Sequence, residues 1–328
     1  MKYIVTGAAG LIGSAVIHAL NQRGETDILA VDHLGSTTEK WKNLRALRFS
    51  DYMEKDAFFA SPDDLARLLS ADTKAVIHMG ACSSTTETDA SYLAKNNYEC
   101  TKTLASLAVE RGIRFLYASS AATYGDGSCG YSDDESGIEQ LRPLNMYGYS
   151  KQMFDLWAKR HGMLDRITGV KFTNVYGPNE RHKGSMRSMV CRAFEQIRDT
   201  GKVRLFRSDR PDYADGEQKR DFLYVKDAAD MVLFLLKDPA LCGLYNVGSG
   251  KAETWNDLAK AVFDAMNVPV NIEYIDMPDH LKGKYQYYTC ANMSKMKKAG
   301  YPREILSLHD AIRDDVVNYL LPDKYLGD

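Results

Sequence analysis

The segment Gly7-Ala8-Ala9-Gly10-Leu11-Ile12-Gly13 constrains the fold of this chain more than any other feature. It follows the apolar, β-rich run Tyr3 to Val5 almost directly and opens the stretch Leu11 to Leu20, whose apolar residues recur at helical spacing. Strand, glycine turn and helix in that order bring a backbone without side chains to a helix N-terminus. There a pyrophosphate can approach closely and its charge is stabilised. Gly7, Gly10 and Gly13 are therefore candidate dinucleotide contacts. The spacing is G-x-x-G-x-x-G rather than G-x-G-x-x-G.

Further β-rich runs follow at Ile28 to Val31, Ala75 to His78, Phe115 to Ala118 and Gly169 to Phe172, with amphipathic stretches at Thr101 to Glu110 and Lys151 to Lys159. Such alternation predicts an α/β fold, a Rossmann-type doubly wound parallel sheet with a smaller α/β substrate-binding lobe. The change of pattern after Tyr176-Gly177-Pro178 places the dinucleotide-binding domain mainly in residues 1–175 and the substrate lobe mainly in 176–328. Core-like sequence near Asp221 to Val225 returns about 220–250 to the first domain. A helix is expected over Met186 to Arg198, and the polar, turn-rich Arg207 to Gln218 reads as a surface loop. At 328 residues the chain has room for both units.

Asp32 ends the second strand, 19 residues beyond Gly13, where a carboxylate would bond the adenosine ribose hydroxyls. Taken alone it favours NAD over NADP; Lys40 and Lys55, downstream, could neutralise a 2′-phosphate and pull towards NADP. Tyr147 and Lys151 stand four residues apart, on one face of a helix. A nearby ammonium favours phenolate over phenol and would lower the tyrosine pKa from ~10, making Tyr147 a general base for an alcohol being oxidised. Ser120, at the carboxyl end of the Phe115 to Ala118 strand, could hold the reacting carbonyl, while Ser119 points elsewhere if the strand continues.

These segments, with Asn174-Val175-Tyr176-Gly177-Pro178, resemble the extended short-chain dehydrogenase/reductase superfamily over essentially the whole chain. Four blocks, 80–87, 117–125, 143–151 and 182–186, resemble the ADP-glyceromanno-heptose 6-epimerase family within it. That resemblance implies inversion of an ADP-linked heptose at C6 through a ketone with bound NADP, in nucleotide-sugar supply for the lipopolysaccharide core, and a homo-oligomer, a pentamer. It also implies a second acid/base residue, Lys183, because one base on one face of the carbon cannot readily serve hydride transfer on both. Tyr147 and Lys183 are then the two bases, with Ser120 and Lys151 supporting. Carried over residue by residue, Leu11, Ile12, His33, Met79, Gly80, Ala81, Cys82, Ser83, Asn96, Lys151, Val175 and Lys183 join the cofactor contacts; Asn174, Ser185, Arg192, Phe206, Arg207, Ser208, Arg220 and Tyr285 line the substrate site. Arg192 and Arg220 suit a pyrophosphate, which guanidinium binds bidentately. Met79, Arg192, Arg207 and His33 depart from the family's usual residues.

Two other readings use the same features. A UDP-sugar 4-epimerase would share Ser120, Tyr147 and Lys151 but not need Lys183, and a non-catalytic dinucleotide sensor would need neither Tyr147 nor Lys151. Composition narrows the partners further. A net charge of −2 without a basic run leaves no footprint for nucleic acid or anionic membrane. No window approaches the ~18 apolar residues of a membrane helix, and Met1 to Gly7 lacks a signal peptide's longer apolar stretch, so a cytoplasmic protein acting on a small molecule is expected. The six cysteines form no CxxC pair and read as reduced packing residues; the histidines show no ligand spacing, so no metal is expected. Asp133-Asp134-Glu135 reads as a solvated acidic loop.

Overall fold

A computed structural model of the chain describes residues 1–36, 39–279 and 285–328. Seven parallel strands form the main sheet: β1 (Tyr3–Thr6), β2 (Ile28–Asp32), β3 (Asp51–Glu54), β4 (Ala75–His78), β5 (Arg114–Ser120), β6 (Thr168–Phe172) and, returning from far along the chain, β11 (Gly243–Val247). Their order is β11-β6-β5-β4-β1-β2-β3. The strand order reverses at β1, so a crevice opens between the carboxyl ends of β1 and β4, which is where doubly wound sheets bind ligands. The central strands are buried along their whole length, hence their continuous apolar runs.

Helices cover both faces. On one side lie α1 (Leu11–Gln22) and α8 (Val225–Lys237), packed on each other and on the sheet through Val16, Ile17, Met231 and Val232. On the other lie α3 (Pro62–Leu68), α5 (Cys100–Glu110) and α6 (Met146–Arg160), whose Leu65, Leu104 and Phe154 share a second core with Phe115 and Tyr117. The short α2 (Lys55–Phe58) and α4 (Ala90–Leu93) lie in the connections, and α10 (Ser294–Lys298) packs on β11.

A third core, around Phe194, Phe263 and Ile312, joins α7 (Met189–Thr200), α9 (Trp255–Ala265) and α11 (Leu308–Asp315). Three two-stranded ribbons accompany it: β7 (Asn174–Tyr176) with β10 (Phe222–Tyr224), β9 (Lys219–Arg220) with β12 (Glu253–Thr254), and β8 (Val203–Phe206) with β13 (Ile272–Ile275). Residues 207–218 contain no helix or strand. Among the described residues no helix is long and apolar enough to cross a membrane.

Asp133-Asp134-Glu135 is not the solvated loop that its charge suggests. Asp133 is buried and accepts the Asn246 N–H at 2.8 Å, and Glu135 accepts the Leu244 N–H at 2.8 Å and faces Lys295 at 3.0 Å. These carboxylates tie β11 to the loop after β5, and only Asp134 faces solvent.

Candidate active site

A cleft of about 1400 Å³ runs from the nucleotide loop after β1, past the ends of β4 and β5, to α7 and β8. Close backbone approach shapes its first wall. Gly7 has φ +67°, and a Cβ there would lie 2.6 Å from the Gly80 nitrogen; a Cβ on Gly13 would lie 2.0 Å from the Gly7 carbonyl oxygen. Glycine is required at both positions. No side chain caps the first turn of α1, so this N-terminus presents backbone donors and a positive dipole end to the cleft. These features fit the pyrophosphate of a dinucleotide.

A buried relay fixes the facing loop. Thr101 donates to the Asn97 carbonyl at 2.6 Å, so His78 Nε2–H donates to Thr101 Oγ1 (2.9 Å) and His78 Nδ1 accepts from the Thr6 hydroxyl (2.6 Å). Thr6 Oγ1 in turn accepts the Gly80 N–H at 3.1 Å. Burial holds His78 neutral, its pKa lowered to about 3. Asn97 grips Cys82 through both backbone groups (2.8 and 2.9 Å) and reaches Ser150 on α6 at 3.0 Å.

At the adenosine end, Asp32 accepts from the Ala9 and His33 N–H groups at 2.7 and 2.6 Å and is ion-paired with Lys40. Lys55 donates to Asn96 Oδ1 at 3.1 Å. Asp32, His33, Lys40, Lys55, Asn96 and Met79 to Ser83 all line the cleft.

At the other end, Asn145 caps α6 by accepting the Gly148 N–H at 2.8 Å. A Cβ on Gly148 would lie 2.8 Å from the Ala122 carbonyl oxygen, so glycine lets the first turn of α6 press against the turn after Ser120. Tyr147 and Ser120 are thereby brought together on the cleft wall, and Ser120 Oγ accepts the Ala122 N–H at 3.1 Å. Ser119 faces the opposite way and donates to Asp155 at 2.8 Å.

Lys151 is buried, donates to the Ala118 carbonyl at 2.8 Å, and has its pKa lowered to about 8 by desolvation. The expected lowering of the Tyr147 pKa is not found: burial raises it, and only Ser120 opposes that. The four-residue spacing predicts a shared helix face, but it does not predict that the phenol is itself desolvated.

Lys183 reaches the same cleft from the helical turn Arg181–Met186, which follows β7 and kinks at Gly184. Asn174, Val175, Arg192, Phe206 and Tyr285 also line it. Ser185 lies instead on a small neighbouring pocket shared with Arg192. Arg207 faces Asp276 at 3.1 Å on the surface, and Ser208 is tied to Asp215. Arg220 is buried behind the cleft wall, stacked 5.0 Å from the Tyr285 ring and 5.6 Å from that of Trp255. The six cysteines are unpaired, and among the described residues no group of three or more His, Cys, Asp or Glu is placed to hold a metal.

Comparison with known proteins agrees with this geometry. Residues 3–248 match the family model described as the NAD dependent epimerase/dehydratase family. A protein of Nitratidesulfovibrio vulgaris named ADP-L-glycero-D-manno-heptose-6-epimerase is 55% identical over 97% of this chain and 98% of its own. One of the same name from Fusobacterium nucleatum is 46% identical over 98% and 99%. The crystal structure of the Helicobacter pylori ADP-L-glycero-D-manno-heptose-6-epimerase superposes with a TM-score of 0.82 at 25% identity, covering 97% of this chain and 95% of that one. The chain belongs to the NAD dependent epimerase/dehydratase family and, within it, to the ADP-L-glycero-D-manno-heptose-6-epimerase family.

Proposed function

We propose that this protein interconverts ADP-D-glycero-β-D-manno-heptose and ADP-L-glycero-β-D-manno-heptose at C6, supplying a nucleotide sugar for the lipopolysaccharide core. The observation that carries this reading is the convergence of Ser120, Tyr147 and Lys151 with Lys183 in one cleft, in a chain so close to relatives named for that reaction. A bound nicotinamide supplies the hydride acceptor and, in the return step, the donor. Tyr147 takes the proton from the C6 hydroxyl as the C6–H bond breaks, and Ser120 donates to the resulting ketone oxygen. Ser120 opposes the rise that burial gives the Tyr147 pKa, and Lys151 reaches the nicotinamide ribose.

For inversion, the hydride must leave and return on opposite faces of C6. Lys183, carried by a separate segment, gives and takes the O6 proton for the second presentation. Lys40, held against Asp32, supports NADP as the preferred cofactor, its ammonium neutralising a 2′-phosphate at the ribose edge. Asn174, Arg192, Phe206 and Tyr285 form the substrate side of the cleft. The domain division at about residue 175, a cytoplasmic location and a homo-oligomeric state, a pentamer, belong to the same reading; light scattering tests the last.

Anion-exchange chromatography of ADP-D-glycero-D-manno-heptose incubated with the protein, with UDP-galactose in parallel, tests the reaction. The expected result is conversion of the heptose alone, lost in Tyr147→Phe and Lys183→Met while ADP-sugar binding persists. Conversion of UDP-galactose alone would overturn it in favour of a 4-epimerase.

A further inference from the structure

Lys183 sits on a short turn between β7 and α7 that kinks at Gly184. What anchors this turn is a pair of buried asparagines outside the cleft lining. Asn43 Nδ2 donates to the carbonyls of Ala9 in the nucleotide loop (2.7 Å) and of Asn179 (2.8 Å), and lies 3.1 Å from His182 Nδ1, next to Lys183. Asn179 Nδ2 donates to Ser14 Oγ at 3.0 Å, and Ser14 donates to the Gly10 carbonyl at 2.7 Å. Asn179 Oδ1 accepts the Leu326 N–H at 3.0 Å.

Both residues are almost fully buried, 1% and 3% exposed. Asn179 moreover has φ +75°, a conformation that costs a non-glycine residue energy and persists only where its surroundings enforce it. The next residue, Glu180, closes the segment by accepting from Ser188 Oγ at 2.6 Å and from the Gly177 N–H at 3.4 Å.

We propose that Asn43 and Asn179 are positioning residues that lock the Lys183 turn to the nucleotide loop, so that the second base is placed only relative to a correctly built cofactor site. The inference rests on the reading of Lys183 as the second base. Among the described residues, the hydrogen bonds that join Ala9 and Ser14 to Asn179 and His182 run through these two side-chain amides. Truncating Asn179 removes its bonds to Ser14 and Leu326 and loosens the turn, which Asn43 still holds through the Asn179 carbonyl, without altering any group that touches the sugar.

The test compares wild type, Asn179→Ala, Asn179→Gly and Lys183→Met for epimerisation kinetics, for NADPH binding by fluorescence titration and for thermal midpoint. Asn179→Ala is expected to lower kcat about 10- to 100-fold, the effect of misplacing a catalytic group by about 1 Å, with the KM for ADP-heptose and NADPH affinity nearly unchanged. Asn179→Gly relieves the positive φ but lacks the amide, so it is expected to lose kcat equally; it also serves if the alanine variant does not fold.

Wild-type kcat in Asn179→Gly, or NADPH affinity falling in step with kcat, overturns the proposal. If Lys183→Met keeps wild-type kcat, the second-base reading itself fails, and the proposal with it. An inactive Lys183→Met beside a fully active Asn179→Gly refutes only the coupling.

Discussion

Asp155→Asn should be the most damaging single-atom change outside the cleft. The Asp155 carboxylate accepts from Lys171 Nζ at 2.6 Å, from the Tyr117 hydroxyl at 2.9 Å and from Ser119 at 2.8 Å, and both charges are fully buried. Lys171 also meets the Thr123 hydroxyl at 2.7 Å and the Tyr124 ring face at 5.2 Å, neither of which carries a negative charge. An asparagine leaves that cation uncompensated in a low dielectric, a loss of about 3–5 kcal/mol. At about 2 °C per kcal/mol for a chain of this size, the midpoint should fall by roughly 6–10 °C. Asp155→Asn/Lys171→Met removes both charges and should recover most of that loss, because replacing a whole buried pair by apolar atoms is often neutral.

Calorimetry of the apoprotein measures both variants. Equal midpoints for the single and double variants, or a wild-type midpoint for the single one, would refute the uncompensated-cation reasoning. The double variant carries a second signature. Asp155 stands one helical turn after Lys151, and its charge raises the Lys151 pKa against the desolvation that lowers it to about 8. Without Asp155 the Lys151 ammonium is lost at lower pH, so the alkaline limb of kcat/KM should move to lower pH in a variant that still folds.

Three shorter predictions follow from other parts of the site. Gly13→Ala forces a Cβ to within 2.0 Å of the Gly7 carbonyl and should abolish NADPH binding in fluorescence titration; retained binding would mean the loop is not the pyrophosphate cradle. His78 and His182 have pKa values lowered by burial to about 3 and about 4. As pH falls below ~6.5 the unfolded chain takes up these protons before the folded one does, so their contribution to stability declines between pH 6.5 and about 4 for His182, and on to about 3 for His78. Urea midpoints should therefore drop more steeply with acid in wild type than in His78→Gln, and parallel curves would contradict the assignment. Lys40→Ala should weaken NADPH about 10- to 100-fold, the value of a charge-assisted contact, and leave NADH unaffected; equal effects on both would remove the 2′-phosphate role.

The elements legible in the sequence are those whose local pattern and tertiary environment agree. β1, β2, β4, β5 and β6 lie within two residues of their apolar runs, because strands buried on both faces are largely apolar. β3, Asp51-Tyr52-Met53-Glu54, carries no such signal because it is a half-exposed edge strand with no apolar run. β11, Gly243-Leu244-Tyr245-Asn246-Val247, carries no such run because the buried Asn246 interrupts it, its amide held by the Tyr131 and Asn292 carbonyls. The helix after Tyr176 begins at Met189 rather than Met186, where Ser188 caps it by accepting the Cys191 N–H.

Short-range chemistry was determined by the sequence itself: a glycine loop after a strand, a carboxylate ending the next one, and a phenol and an amine one helical turn apart are each written in adjacent residues. Tertiary structure alone decided what those groups experience. Burial raises the Tyr147 pKa and lowers that of Lys151, and desolvation is a property of surroundings assembled from distant segments. The Asp155–Lys171 pair and the Asn43–Asn179 bridge join residues 16 and 136 positions apart, and no local spacing encodes them. Their polar side chains read as surface until the fold removes water from them and leaves each other as their partners.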